Sequence, residues 1–158
     1  MKIDSVLPLP SDPGRFGYGQ ACGRLFLALS LTWAGLAHLT VQRLEFQAQV
    51  PPWLPFDPDL VVVLSGLVEI ALGLALFWPW AARRRALLGW MVAAFFVAIF
   101  PGNIAQLVER RDAFGLDTDL KRWLRLPFQP VLIFLALWST GAWQAWRATR
   151  ARSQPPLK

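Results

Sequence analysis

The chain has 158 residues, room for one domain. It is 55% hydrophobic with nine tryptophans, which excludes an ordinary water-soluble domain. Its net charge of +6 gathers in short connections and at the ends, which excludes a basic nucleic-acid-binding face. The one cysteine, Cys22, excludes an internal disulfide, a thiolate metal cluster and dithiol redox chemistry within the chain. The one histidine, His38, excludes a haem held by two histidines.

Residues 1–24 are rich in Pro and Gly and poor in basic residues. That is a poor n-region for a cleaved signal peptide, so a polar cytoplasmic tail before a retained helix is expected. The first uncharged run follows over 25–42, 18 residues without Asp, Glu, Lys or Arg. It is the shortest of four. The helix is expected to continue to about Gln49 and stop at Pro51-Pro52. Prolines 51, 52, 55 and 58 make the rest of this connection stiff and extended, with Trp53, Leu54 and Phe56 as interfacial anchors.

The second run covers 60–82, 23 residues in which Glu69 is the one charge. Arg83, Arg84 and Arg85 are read as the short turn after it. The third run, 86–108, has 23 residues and no charge, yet carries Pro101, Gly102, Asn103 and Gln106 near its end. "GLDTDLKRWLRLP" comes next. Asp117 is a candidate N-cap, Leu120, Trp123 and Leu124 share a face, Lys121, Arg122 and Arg125 take the other, and Pro127 ends the helix. This is the pattern of a short helix in the membrane plane. The fourth run, 126–146, has 21 uncharged residues, and 148–158 form a cytoplasmic C-terminal tail.

A helix rises about 1.5 Å per residue and the hydrocarbon core is about 30 Å thick, so about 20 such residues cross it. The expected fold is therefore all-α, an antiparallel bundle of four transmembrane helices within residues 25–147, with short interfacial segments on the outer side. Ten of the 16 Lys and Arg fall on one side of this arrangement, in the 83–85 turn and at both ends. Short basic loops stay in the cytoplasm, so both termini are placed inside a bacterial-type inner membrane. The lipid bilayer is the one partner composition implies, and nucleic acid is not expected. Tryptophans 78, 80, 90, 143 and 146 mark the inner boundary, 53 and 123 the outer. Trp33 and Trp138 fall mid-membrane, where their N–H groups need partners.

Aligned by depth, the polar residues inside the spans converge in the outer half. They are His38 on the first, Ser65 and Glu69 on the second, Asn103 and Gln106 on the third and Gln129 on the fourth. An outward-opening polar pocket is expected, lined by these six and Trp33. Each also has a plainer role. Ser65 and Gly73 sit on one stripe with Glu69 and suit close packing, and the amides suit interhelical hydrogen bonds. His38 is near enough to the interface to be solvated. Glu69 is the hardest to dismiss, because an ionisable group at mid-bilayer costs several kcal/mol unless paired, hydrated or protonated. Pro101 removes its own N–H and frees the carbonyl of Val97, and Gly102 lets a backbone or ligand approach. No P-loop, dinucleotide fingerprint or HExxH is present, so neither a catalytic residue nor a metal ligand is named.

"GLAHL" at 35–39, "VPPWLP" at 50–55, "SGLVEIALGLAL" at 65–76, "FPGNIAQ" at 100–106 and "RLPFQPVLI" at 125–133 occur in order. With these, the sequence resembles the DoxX-like family of small four-helix membrane proteins. That family more often has alanine at the place of Gly102 and an aromatic at the place of Leu39. The resemblance puts His38, Glu69, Asn103 and Gln129 on the family's polar positions and carries no catalytic role. It implies association with membrane redox machinery, since some relatives serve quinone-coupled oxidation of sulfur compounds or complexes that handle thiol and oxidative stress.

The expected function is binding of a small lipid-soluble or redox-related molecule, a quinone being the candidate cofactor. The alternative is a non-catalytic structural or assembly subunit of a larger respiratory or redox complex. Movement of protons or solute through Glu69 is a third reading, weakened by the lack of a polar path to the cytoplasmic side. Whether the protein is an enzyme stays open.

Overall fold

The computed structural model describes residues 17–152. Among the described residues there is no strand. The helices are α1 (Tyr18–Leu39), α2 (Arg43–Gln47), α3 (Pro58–Phe77), α4 (Ala82–Val108), α5 (Asp119–Arg125), α6 (Phe128–Ser139) and α7 (Ala142–Arg152).

Helix α1 starts well before the uncharged run. No proline falls between Tyr18 and Arg24, and Gly19 and Gly23 lie against Trp138, so these residues extend α1 rather than belonging to a tail. Nor does α1 run on to Gln49. It stops at Thr40, whose backbone leaves the helical region (φ −130°, ψ −104°) while its hydroxyl donates back to Leu36 O at 2.7 Å. The chain then turns into the short α2. Arg43 Nε donates to Asp59 Oδ1 at 2.6 Å and Gln47 Nε2 to the same oxygen at 3.0 Å, with Arg43 Nη2 on Asp59 Oδ2. These bonds tie α2 to the first turn of α3, and the Asp59 carboxylate raises the Arg43 pKa further above its ordinary value.

Asp57 caps α3 by accepting from Leu60 N at 3.0 Å, and Pro58 is preset for the first helical position. The turn after α3 is 78–81, around Pro79. Arg83, Arg84 and Arg85 are therefore not a turn but the first turn of α4. Arg24 Nη1 donates to Trp78 O at 3.3 Å, so α1 is fastened to the end of α3 here.

Three helices, α1, α3 and α4, are long and apolar enough to cross a membrane. The expected uninterrupted helix over 126–146 is not formed. Alone, α6 has 12 residues, about 18 Å against a slab of about 30 Å. Asp119–Ser139 and Ala142–Ala151 meet the same test only as a pair, bent by 67°. The bend has local causes. Gly141 adopts φ 77°, which a side chain would oppose, and Thr140 turns its hydroxyl onto Ala136 O at 2.7 Å. Arg85 Nε reaches across from α4 to take the Thr140 carbonyl at 3.1 Å.

The core joins Leu27, Ala28 and Leu31 of α1 to Leu72 and Leu76 of α3, Leu88, Val92, Ala93 and Phe96 of α4, and Ala136 of α6. Helix α1 lies closest to α3. A Cβ on Gly35 would stand 2.5 Å from Gly66 O and 2.7 Å from Ile70 Cγ1, so the two backbones touch there. The small residues at this contact are Gly66 and Gly73, with Ser65 to one side. Large apolar side chains such as Leu29, Leu36, Leu64 and Met91 face outward, as a lipid-facing surface requires.

Candidate functional site

A cavity of about 410 Å³ lies among α1, α3, α4 and α6, under a rim formed by α2 and the segment 49–54. Leu27, Leu31, Phe96, Ile99 and Leu132 make its apolar wall. Ser30, His38, Gln49, Ser65, Glu69, Asn103, Arg125 and Gln129 are among its polar lining residues.

His38 and Glu69 stand together where α1 and α3 are closest. The Gly66 face makes room, since a Cβ there would come 2.7 Å from His38 Cβ. His38 Nδ1 lies 2.8 Å from Ala34 O and 2.9 Å from Glu69 Oε2. The N–H satisfies Ala34 O, and Glu69 Oε2, although close to the ring nitrogen, receives no hydrogen bond. Glu69 is 5% exposed and His38 7%. The imidazole stacks on Phe46 of α2, ring centroids 3.4 Å apart and planes 17° apart, and Phe46 meets Phe114 edge-on at 4.6 Å. The stack fixes the ring that stands beside Glu69.

Across the cavity, Asn103 Nδ2 donates to Gln129 Oε1 at 3.0 Å and Gln129 Nε2 to Phe96 O at 2.6 Å. The proline in α4 thus has a neighbour that meets an interior carbonyl, on Phe96 rather than Val97. Gly102 admits a backbone, because a Cβ there would stand 2.6 Å from Gln49 O. That approach brings the Gln49 side chain over the cavity. Its amide lies 3.2 Å from Gln106 Oε1. Turned so that its oxygen faces Arg125, it accepts from both terminal guanidinium nitrogens at 2.7 and 2.6 Å, the orientation this network favours.

Of the seven expected site residues, the structure brings His38, Ser65, Glu69, Asn103 and Gln129 to one cavity. Ser65 keeps its hydroxyl on Val62 O at 2.9 Å, within α3. Gln106 is not in the wall. It is buried behind it, Nε2 on Arg111 O at 3.4 Å and Oε1 accepting from Arg125 Nη1 at 3.4 Å. Trp33 is not part of the site, being 71% exposed on the outer face of α1. It is two residues from the inward Leu31 and Gly35, about 200° round the helix. Trp138 packs its ring over Gly19 and Gly23 of α1 instead of facing the cavity. In the outer segment Thr118, not Asp117, caps α5, accepting from Lys121 N at 3.3 Å. Asp117 takes Lys121 Nζ at 2.7 Å, which holds its carboxyl below the usual range. Leu120, Trp123 and Leu124 are exposed together, whereas Arg122 is buried, gripped by Asp112 and by Asp119 Oδ1 at 2.7 Å.

Sequence reasoning missed Phe46, Gln49 and Arg125 as cavity residues. Arg125 had a readable signal, since it opens the segment that holds Gln129. Phe46 and Gln49 had none, because the break at Thr40 sets their position. Among the described residues no group of three or more His, Cys, Asp or Glu could hold a metal ion. The chemistry on offer is recognition: an apolar chamber with a carboxylate and imidazole at one wall, an amide pair at another and a guanidinium at the rim.

Over the described residues this is an all-helical protein, with three helices fit to cross a membrane and a chambered polar site among its helices. It belongs to the family described as Domain of unknown function (DUF8561), whose model matches residues 27–140. That span covers every residue named in the cavity wall. Comparison with curated proteins finds no match, and comparison with solved structures finds none.

Proposed function

We propose that the protein is a DoxX-like, four-span antiparallel membrane bundle whose cavity opens outward and holds a small lipid-soluble molecule. In this reading α5–α6 and the bent α7 together supply the fourth crossing, both termini are cytoplasmic, and the membrane is of the bacterial inner type. The ligand belongs to the redox economy of that membrane, with a quinone or its reduced form as the candidate. The observation that carries the reading is Glu69, kept 5% exposed on the wall of a cavity of about 410 Å³ with an oxygen that no protein donor meets. A carboxylate used only to lock helices together would have its oxygens bonded.

Mass spectrometry of what copurifies with the detergent-solubilised chain tests this. A stoichiometric lipid-soluble molecule is expected with the wild type. Glu69→Gln, similar in size, should fold with a melting temperature within a few degrees of wild type and retain about tenfold less of that molecule. Respiratory subunits without a small molecule would replace the pocket by the assembly role.

Topology has its own check. In a Cys22→Ser background, cysteine at Asp57 should react with an impermeant maleimide on intact cells and cysteine at Gln154 should not. The reverse pattern would turn the bundle over and open the cavity to the cytoplasm.

A further inference from the structure

Resting on that reading of the cavity, we infer that the molecule it holds presents a hydroxyl group to Glu69. The inference starts from the unmet oxygen. Glu69 Oε2 is buried and lacks a donor, because the one N–H within reach, on His38 Nδ1, is satisfied by Ala34 O at 2.8 Å. Ala34 O is an acceptor, so Nδ1 must keep its hydrogen on that side and cannot accept one from a protonated Glu69. An ionised Glu69 lacks a donor from outside the chain there, a protonated one lacks an acceptor, and a hydroxyl serves as either. Leaving a buried acceptor empty is costly, and a hydrogen bond to a charged acceptor is among the stronger ones, so the group that fills this position selects the ligand.

Three head groups can be compared. A carbonyl head, as on a quinone, offers acceptors alone and meets Oε2 only when that oxygen carries a proton. An ammonium head would donate, but the cavity also carries the Arg125 guanidinium, which disfavours a second cation. A hydroxyl donates one hydrogen and keeps lone pairs for the donors at the rim. The apolar wall of Leu27, Leu31, Phe96 and Leu132 fits a hydrocarbon or aromatic body behind it.

The test compares two probes with the same body. 1-Naphthol carries the hydroxyl, and 1-methoxynaphthalene replaces its hydrogen by a methyl group. Equilibrium dialysis of the full chain in nanodiscs, with empty nanodiscs subtracted, should show saturable binding of naphthol about tenfold tighter than of the ether. In Glu69→Leu, with folding verified by its melting curve, the preference should vanish while both probes still bind. If that variant fails to fold, the wild-type pair decides alone. Equal affinity for the two probes in the wild type, or a preference that survives in Glu69→Leu, overturns the hydroxyl and leaves the cavity reading standing. Saturable binding of neither probe overturns the cavity reading and this inference with it.

Discussion

Gly35→Leu should cost the protein a large part of its folded stability. The position is the point of nearest approach between α1 and α3, where even a Cβ would meet Gly66 O at 2.5 Å and Ile70 N at 2.9 Å. Those atoms are backbone and cannot swing away, so relief requires the two helices to part. Overpacking in a core costs about 1–3 kcal/mol, and a contact against backbone belongs at the upper end. For a chain of this size that is a fall in melting temperature of about 5–10 °C in detergent. Separation at this point also draws His38 away from Glu69, so retention of a bound molecule should fall with it. Trp33→Leu, two residues away on the exposed face, is the control and should leave the melting curve unchanged. A Gly35→Leu protein as stable as wild type would mean that α1 and α3 do not touch here.

Gln129→Leu should have the next largest effect, by a different route. Leucine is of similar size, so packing is nearly conserved, but Phe96 O and Asn103 Nδ2 both lose their partner inside the protein. Interhelical hydrogen bonds in membranes are worth about 0.6–2 kcal/mol each, and stranding a buried group adds to that, so about 2–4 kcal/mol is expected for the pair. Steric trapping or denaturant unfolding in mixed micelles measures it. The double variant Asn103→Leu with Gln129→Leu removes the stranded amide as well. Its cost should be smaller than the sum of the two single costs by at least about 0.5 kcal/mol. Strict additivity would show that the two amides do not interact and that the α4–α6 bridge is absent.

The bridge explains why a proline and two amides sit in an otherwise apolar helix. Pro101 cannot supply an N–H to the helix interior, Gln129 meets a carbonyl one turn earlier, and Asn103 holds Gln129 in place. Gly102 beside it leaves room for the Gln49 backbone, which closes the rim of the cavity. The same cluster therefore bridges α4 to α6 beside the proline and shapes the chamber.

The sequence by itself determined three helices long and apolar enough to cross a membrane, whereas the fourth uncharged run is broken at Gly141. It also determined that His38, Ser65, Glu69, Asn103 and Gln129 would meet. Polar residues set at matching places along otherwise apolar helices must either converge inside or stand on an apolar surface, and these converge. Depth says nothing about azimuth over a single residue type, which is why Trp33 was expected inside and lies outside, and why Gln106 lies behind the wall rather than in it.

Only the tertiary structure decided the rest. At Gly141 the Thr140 carbonyl is capped by Arg85 of α4, and after Thr40 the chain is held in α2 by Arg43 and Gln47 on Asp59 of α3. No local pattern carries a partner 55 residues away. The stack of Phe46 on His38 follows from the first of these breaks, and the pairing of Gln49 with Arg125 from the glycine that lets the chain pass over α4. Above all, the empty acceptor on Glu69 is a matter of which way one N–H points. That depends on how the imidazole is turned between Ala34 O and Glu69 Oε2, a geometry no reading of residue types contains.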